Sequence, residues 1–353
     1  MTSIDQNRTG IALVVNEDRQ LVATVTDGDI RRAVLSGTGL DEPVNQLFSL
    51  KQQSPYPEPV TAQIDDSHHK LLTLMRERNV RQIPLLDEQG RPVDLVIMDE
   101  LVPASELPLQ AVVMAGGFGT RLAPLTKTVP KPMLPVGDRP MLHHIIDQLR
   151  TTGITEVHVA THFKPEVIEQ YFGDGEEFGV HIRYVEEDKP LGTAGALGLI
   201  ASPTTPLLVV NGDVLTNVNY QAMLNFHHEH DADLTVASRK YEMKVPFGIL
   251  ECDGPLVLRV REKPIQSSFV SAGIYLLNPS VHAQVAQGER LDMPDLITRL
   301  IESGQRVATF PVLEYWLDVG RHPEYLQAQE DVRAGAVASV PRGLDLAGHS
   351  ATM

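Results

Sequence analysis

The segment from Ala111 to Pro135, AVVMAGGFGTRLAPLTKTVPKPMLP, constrains this chain more than any other. A strand-like apolar run, Ala111 to Met114, opens straight into Gly116, Gly117 and Gly119. Glycine reaches backbone angles closed to other residues, so these three can expose successive N–H groups to an anion. Arg121 adds a planar fork of donors, and Lys131, between Pro130 and Pro132, a mobile point charge. Prolines restrict their own angles and those of the residues before them, so the loop from Pro124 to Pro135 is expected to be extended and stiff instead of helical. Together these residues suit a nucleoside triphosphate. The alternative, a solvated Gly/Pro-rich loop, seldom follows a strand-like run in this order. Spacing excludes two other nucleotide motifs: Ala115-Gly-Gly-Phe-Gly-Thr-Arg lacks the third glycine of a dinucleotide fingerprint, and no Gly-Lys-Ser/Thr closes a P-loop.

A chain of 353 residues with a 42% apolar share is long enough for two domains with sizeable cores. Its 30 basic and 46 acidic residues leave a net charge of −16, which argues against nucleic acid or an anionic membrane as the main partner. An anionic substrate must then be drawn by a local basic site. The one cysteine, Cys252, has no internal disulfide partner, the first 20 residues hold no continuous apolar h-region, and no run approaches the ~18 apolar residues of a membrane span. A cytoplasmic protein is expected, as a homo-oligomer. The histidine groups His68-His69, His143-His144 and His227-His228-His230 fit no standard zinc spacing and read as solvated helix residues.

The stretch Pro103-Ala-Ser-Glu-Leu-Pro-Leu marks a boundary, giving domains at 1–105 and 110–335 with a frayed tail over 336–353. Before the boundary two passages repeat a pattern of strand, acidic turn, strand and helix start: the one opening at Gly10 and the one opening at Arg81. The repeat resembles the paired cystathionine-β-synthase (CBS) domain. That resemblance implies an adenosine nucleotide at Thr26, Asp27 and Asp29, where Asp29 either meets ribose hydroxyls or caps a helix starting at Ile30. The second copy carries Ile97-Met98-Asp99-Glu100 there, and only nine residues precede Gly10 in the first.

After the boundary, strands are expected at Ala111–Met114, Glu156–Thr161, His181–Glu186, Leu207–Val210 and Leu234–Ser238. A helix carries Met141, Leu142, Ile145, Ile146 and Leu149 on one face and stops at Gly153. Phe247 to Val260 reads as a hairpin turning at Asp253-Gly254. The fold class is α/β, a doubly wound, mixed but mostly parallel sheet preceded by the α+β CBS pair. The glycine loop then sits at a strand's carboxyl end, where such sheets bind ligands.

From Gln110 to Arg333 the residues resemble the sugar-1-phosphate nucleotidyltransferases, which join a sugar 1-phosphate to a nucleoside triphosphate on a Rossmann-like sheet. The resemblance implies that Ala115, Gly116, Gly117, Gly119 and Thr120 hold the nucleotide and that Arg121, Lys131 and Asp213 stabilise the transferring phosphate. It implies Mg²⁺ on Asp213, in Asn211-Gly-Asp, and on Asp318, in Tyr315-Trp-Leu-Asp. A plain turn and a helix N-cap near Pro323 are the alternatives for these two aspartates. Gly248, Glu262, Lys263 and the Ala272-Gly273 pair correspond to the sugar-phosphate side, although Arg261-Glu-Lys-Pro also reads as a charged strand end.

The segment Val185-EEDKPLGTAGAL resembles the base-reading loop, with Gly192 and Thr193 beside the nucleobase. Glu187 stands where thymidylyl- and uridylyltransferases carry glutamine. A carboxylate only accepts hydrogen bonds, which suits the adjacent N1–H and N2–H₂ of guanine and opposes the O4 acceptor of uracil or thymine. GTP is the expected donor substrate, UTP or dTTP the alternatives, and the sugar stays open. A catalytically silent, nucleotide-sensing subunit is the reading from another class.

Overall fold

The computed structural model describes residues 10–39, 42–51, 57–78, 80–101 and 107–337. The residues before Gly10, the side chains of Asp99 and Glu100, the stretch 102–106 and the tail from 338 lie outside the described residues. The chain divides into two compact units, Met1–Ser105 and Glu106–Met353.

The first unit is a duplicated hairpin. β1 (Ile11–Val15) pairs antiparallel with β2 (Leu21–Thr26), and after the short β3 (Ala62–Gln63), β4 (Gln82–Leu86) pairs in the same way with β5 (Pro92–Ile97). The two copies share a register, Ile11↔Thr26 in one and Gln82↔Ile97 in the other, and each carries a bulge at its fourth residue. Their turns also match, closed by Asn16 N–H to Gln20 C=O and by Asp87 N–H to Arg91 C=O, each 3.0 Å. A helix follows each second strand, and Ile83, Leu85, Leu71 and Met75 form a core against Ala62.

The second unit is built on seven strands. In chain order they are β6 (Gln110–Met114), β9 (Glu156–Thr161), β10 (His181–Glu186), β11 (Leu207–Asn211), β13 (Leu234–Lys244), β16 (Ile265–Leu277) and β17 (Val307–Pro311). Short ribbons take the numbers between: β7 (Pro135–Val136), β8 (Arg139–Pro140), β12 (Val214–Thr216), β14 (Ile249–Asp253) and β15 (Leu256–Arg261), with β18 (Trp316–Asp318) last. The sheet order is β10-β9-β6-β11-β16-β13-β17, with β16 alone running antiparallel to its neighbours. Continuous apolar runs such as Ala111-Val-Val and Leu207-Leu-Val-Val make central strands because helices cover both faces. The helix Met141–Thr151 buries the predicted face, and the hairpin β14–β15 turns where expected.

Three expectations need correction. β13 continues six residues beyond Ser238, and its 13-residue partner β16 was not anticipated at all. Their distal halves are exposed and carry little burial pattern, so only the ladder between them makes them strands. The loop from Pro124 to Pro135 is not extended: it coils through successive turns into a 3₁₀ turn at Lys131–Met133. The helix His322–Arg333 holds it there, with Tyr325 Oη and Gln329 Nε2 both donating to Pro135 C=O at 2.6 Å.

Candidate active site

β6 and β11 lie side by side and parallel, while β6 leads across to β9 and β11 meets the antiparallel β16. The order therefore reverses between them, and an open α/β sheet binds ligands in the crevice at that point. Gly212 makes the two strand ends meet. Its N–H donates to Met114 C=O at 2.9 Å, and a Cβ there would stand 2.7 Å from the same oxygen.

Beyond Met114, the N–H of Ala115 donates to Ala160 C=O, but those of Gly116, Gly117, Phe118, Gly119 and Thr120 donate to no protein acceptor among the described residues. Five consecutive donors are thus left without a protein acceptor, which is what an anion cradle requires. Their reasons for being glycine differ from the expectation. Only Gly119 is left-handed, with φ 63°, and a Cβ there would also strike Lys131 Cβ at 2.9 Å. Gly116 leaves room for Glu187 Oε1, 3.2 Å from its missing Cβ, and nothing lies within 4 Å of Gly117.

Lys131 is buried and ion-paired. It is 7% exposed, and its Nζ donates to Asp213 Oδ2 at 2.5 Å. Asp213 leaves the end of β11 and Asp318 ends β18, where Val214 pairs with Asp318 and the Val319 N–H donates to Asp213 C=O. The two carboxylates thus stand together. Solvent reaches Asp318, yet crowding by the surrounding protein pushes its carboxyl above the usual range, the Asp213 charge adds to this, and Lys131 and Arg121 partly offset it. Arg121 is exposed, with Nη1 and Asp318 Oδ1 at 3.7 and 3.6 Å from the Cβ that Gly320 lacks. Asp318 caps no helix: the next one begins at His322, with Arg321 at its N-cap. Among the described residues no three His, Cys, Asp or Glu side chains form a metal cluster. A pair of carboxylates suits Mg²⁺, which keeps several waters, and mutual repulsion gives the pair a reason to accept a cation.

The base-reading candidate Glu187 lies against the glycine loop. Glu187 is 8% exposed; its Oε2 accepts from Leu191 N–H at 2.8 Å, which leaves Oε1 toward Gly116. His162 Nδ1 contacts Glu187 C=O at 2.6 Å, and its ring meets Phe118 edge-on at 5.4 Å. Neither His162 nor Phe118 was singled out in the sequence. Gly192, φ 86°, packs on Leu291 and Asp292, and the Thr193 hydroxyl accepts from Met293 N–H at 2.8 Å. Those two residues fasten the loop to the helix Met293–Glu302.

The sugar-side candidates divide. Ala272 is 1% exposed, and its carbonyl accepts from Trp316 Nε1 at 2.8 Å. Gly273, φ 71°, makes room for Asn211, whose amide nitrogen would lie 2.7 Å from a Cβ. The Asn211 Oδ1 is buried without a hydrogen-bond partner, although the motif Asn-Gly-Asp was read only for its aspartate. Gly248, Glu262 and Lys263 sit farther out and exposed, with Glu262 Oε2 2.9 Å from the missing Cβ of Gly248.

In the first unit, the structure displays the capping alternative. Thr26 is the N-cap of the helix Asp27–Leu35, which starts before Ile30, and Asp29 sits at its third position in a capping box. Asp29 accepts from Thr26 N–H, Lys51 Nζ and Arg32 Nη2, while Asp27 accepts from Arg31. Both oxygens of Asp29 accept hydrogen bonds from within the unit.

Unpaired loop amides, a lysine and an aspartate pair therefore meet at the switch point of an α/β sheet. The chain belongs to the nucleotidyl transferase family, whose model matches residues 110–335, and a CBS domain model matches residues 55–106. Similar proteins include the mannose-1-phosphate guanyltransferases of Pichia angusta and Candida albicans, each 34% identical over 231 residues. Those matches take in 62% of this chain, which spans 62% and 63% of the two relatives' lengths. A provisionally named glucose-1-phosphate thymidylyltransferase from Bacillus anthracis shares the fold at TM-score 0.53 and 26% identity, over 67% of this chain and 98% of its own. No helix among the described residues is long and apolar enough to cross a membrane.

Proposed function

We propose that the chain transfers a guanylyl group from GTP to a sugar 1-phosphate, releasing pyrophosphate. The observation that carries this is the convergence of the Gly116–Thr120 amides, Lys131, Asp213 and Asp318 at one switch point. The amides would cradle the triphosphate, and Lys131, held by Asp213, would place its charge against the α-phosphate with little loss of side-chain freedom. Arg121 would add donors from the solvent side. The attacking sugar phosphate is an anion at neutral pH, so an in-line displacement needs no general base and no covalent intermediate. Asp213 and Asp318 would hold Mg²⁺, which neutralises charge on the transferring phosphate when bound.

Guanine is favoured because Glu187 Oε1, an acceptor without a proton to give, stands beside the glycine loop. The names of the curated relatives make mannose 1-phosphate the first acceptor to test. Pyrophosphate release should be measured with Mg²⁺, mannose 1-phosphate and each of GTP, UTP, dTTP and CTP. GTP is expected to give a kcat/KM at least about tenfold above the others, the scale of one misplaced buried hydrogen bond. A preference for UTP or dTTP overturns the base assignment. No release across a panel of sugar 1-phosphates overturns the enzyme and leaves a nucleotide-binding subunit.

A further inference from the structure

Consecutive residues in the turn after β9 reach three different loops of the site. His162 Nδ1 lies 2.6 Å from Glu187 C=O, in the loop after β10. Lys164, left-handed at φ 52° as the N-cap of the helix Pro165–Phe172, stands over the Phe163 ring at 5.5 Å and donates to Thr128 C=O at 3.0 Å, in the loop that leads to Lys131. His162 and Phe163 both meet the ring of Phe118 in the glycine loop, at 5.4 and 5.6 Å between centroids. The backbones stay in register past the strand ends, because Ala115 N–H donates to Ala160 C=O at 2.8 Å and Glu187 N–H to Thr161 C=O at 2.9 Å.

Glu187 is the residue these contacts fix most completely. A carbonyl oxygen only accepts, so His162 Nδ1 carries a proton and donates it to Glu187 C=O. Thr161 holds the Glu187 N–H and the Leu191 N–H holds Oε2, which leaves Oε1 as the polar atom of Glu187 that meets no protein donor among the described residues. Gly116 closes the third side: a Cβ there would lie 3.2 Å from Glu187 Oε1 and 3.3 Å from His162 Cβ. Granting the nucleotide site proposed above, we infer that His162 is a positioning residue for nucleobase selection. It pins the Glu187 backbone against the glycine loop, which sets where Oε1 stands and so which base edge the site accepts. Selectivity of this kind requires that a mismatched base leave a buried polar group unpaired. A carboxylate on a backbone free to shift would move to relieve the mismatch, and the discrimination would be lost.

Two variants of the full chain separate the hydrogen bond from the ring. His162→Ala removes both, whereas His162→Asn removes the ring and keeps a side-chain N–H for the same carbonyl. Dissociation constants of GTP, UTP, dTTP and CTP, measured by calorimetry with Mg²⁺, need no turnover. Wild type should bind its preferred nucleotide at least about tenfold tighter than the next. His162→Ala should shrink that ratio at least about fivefold, and His162→Asn should keep it within about twofold of wild type. Hydrogen exchange without nucleotide reads the positioning itself: His162→Ala should speed exchange of the amides from Glu187 to Leu191 at least about fivefold and leave those of Leu207–Asn211 unchanged, while His162→Asn changes neither. A merely structural role would weaken all four nucleotides alike, so an unchanged ratio in His162→Ala overturns the inference. Unchanged exchange at Glu187 to Leu191 does so too, as does a His162→Asn chain that loses selectivity as His162→Ala does. A wild type that prefers UTP or dTTP, with the ratio still collapsing in His162→Ala, supports the positioning role and removes guanine. A wild type that binds the four alike, or none of them, overturns both.

Discussion

One pair of strands carries two different environments. Near the switch point, β16 presents Ala272, Ile274, Leu276 and Leu277, all buried, against β11 and β13. Seven residues earlier the same strand presents Ile265, 62% exposed, opposite an exposed Lys244. The hydrogen-bonded ladder runs through both halves. Ladder bonds alone thus define a strand without making it stable, and burial separates an inner half packed in the core from an exposed arm made by the distal halves of β13 and β16 and the β14–β15 hairpin.

The largest expected effect tests whether the inner half serves chemistry. Asp318→Ala should cut turnover about 10³-fold, the scale of losing one electrostatic stabiliser, with little change in unfolding midpoint because solvent already reaches the side chain. Turnover within tenfold of wild type would remove Asp318 from the site. Next in size is packing. Leu276→Ala, at a side chain with no exposure, should cost about 3 kcal/mol in urea unfolding of the second unit, whereas Phe269→Ala, 41% exposed on the same strand, should cost under about 0.5 kcal/mol. Equal costs would break the contrast between the halves.

The same contrast explains what could be read from sequence. β6, β9 and β11 were legible because central strands covered on both faces are apolar runs rich in Val, Leu and Ala, and the edge strand β10 because buried Ile182 and half-buried Tyr184 alternate with exposed His181 and Arg183. The distal ribbon was not, since Arg239-Lys-Tyr-Glu-Met-Lys has no buried face to impose a period. In the site, the cradle and the two aspartates were legible from local motifs. The turns at Pro124–Pro135 were not, because Pro135 is held by Tyr325 and Gln329, 190 and 194 residues away in sequence. Asn211 and His162 were missed for a related reason: their meaning comes from Gly273 and Glu187, which only the fold brings beside them.

A smaller effect is expected at the arm's base. Lys263→Ala should raise the KM for sugar 1-phosphate about tenfold and leave that for GTP within twofold, since Lys263 is 61% exposed at its side chain and gives one solvent-screened charge contact. A shift in the GTP value instead would move Lys263 to the nucleotide side.

The smallest effect sets buried ion pairs against those of the arm. Asp29 is 6% exposed; burial pushes its carboxyl up, but the Thr26 N–H, Lys51 and Arg32 more than reverse this and hold it below its usual 3.8. A carboxylate lowered in the folded state contributes stability above its unfolded pKa, and that contribution fades as pH falls through the folded value. Protection of the Leu21–Leu35 amides against hydrogen exchange, corrected for the intrinsic pH dependence, should therefore be level from pH 7 to about pH 5 and decline below about pH 4. Asp29→Asn, which keeps an acceptor but has no charge to lose, should flatten that decline. The arm's exposed pairs, Lys240–Glu242 and Arg261–Glu251, should add no comparable slope to their own segment, because such pairs are worth only about 0–1 kcal/mol. A decline of the same size in Asp29→Asn would place the acid sensitivity in other carboxylates and leave the Thr26–Asp29 box as a cap without an electrostatic role.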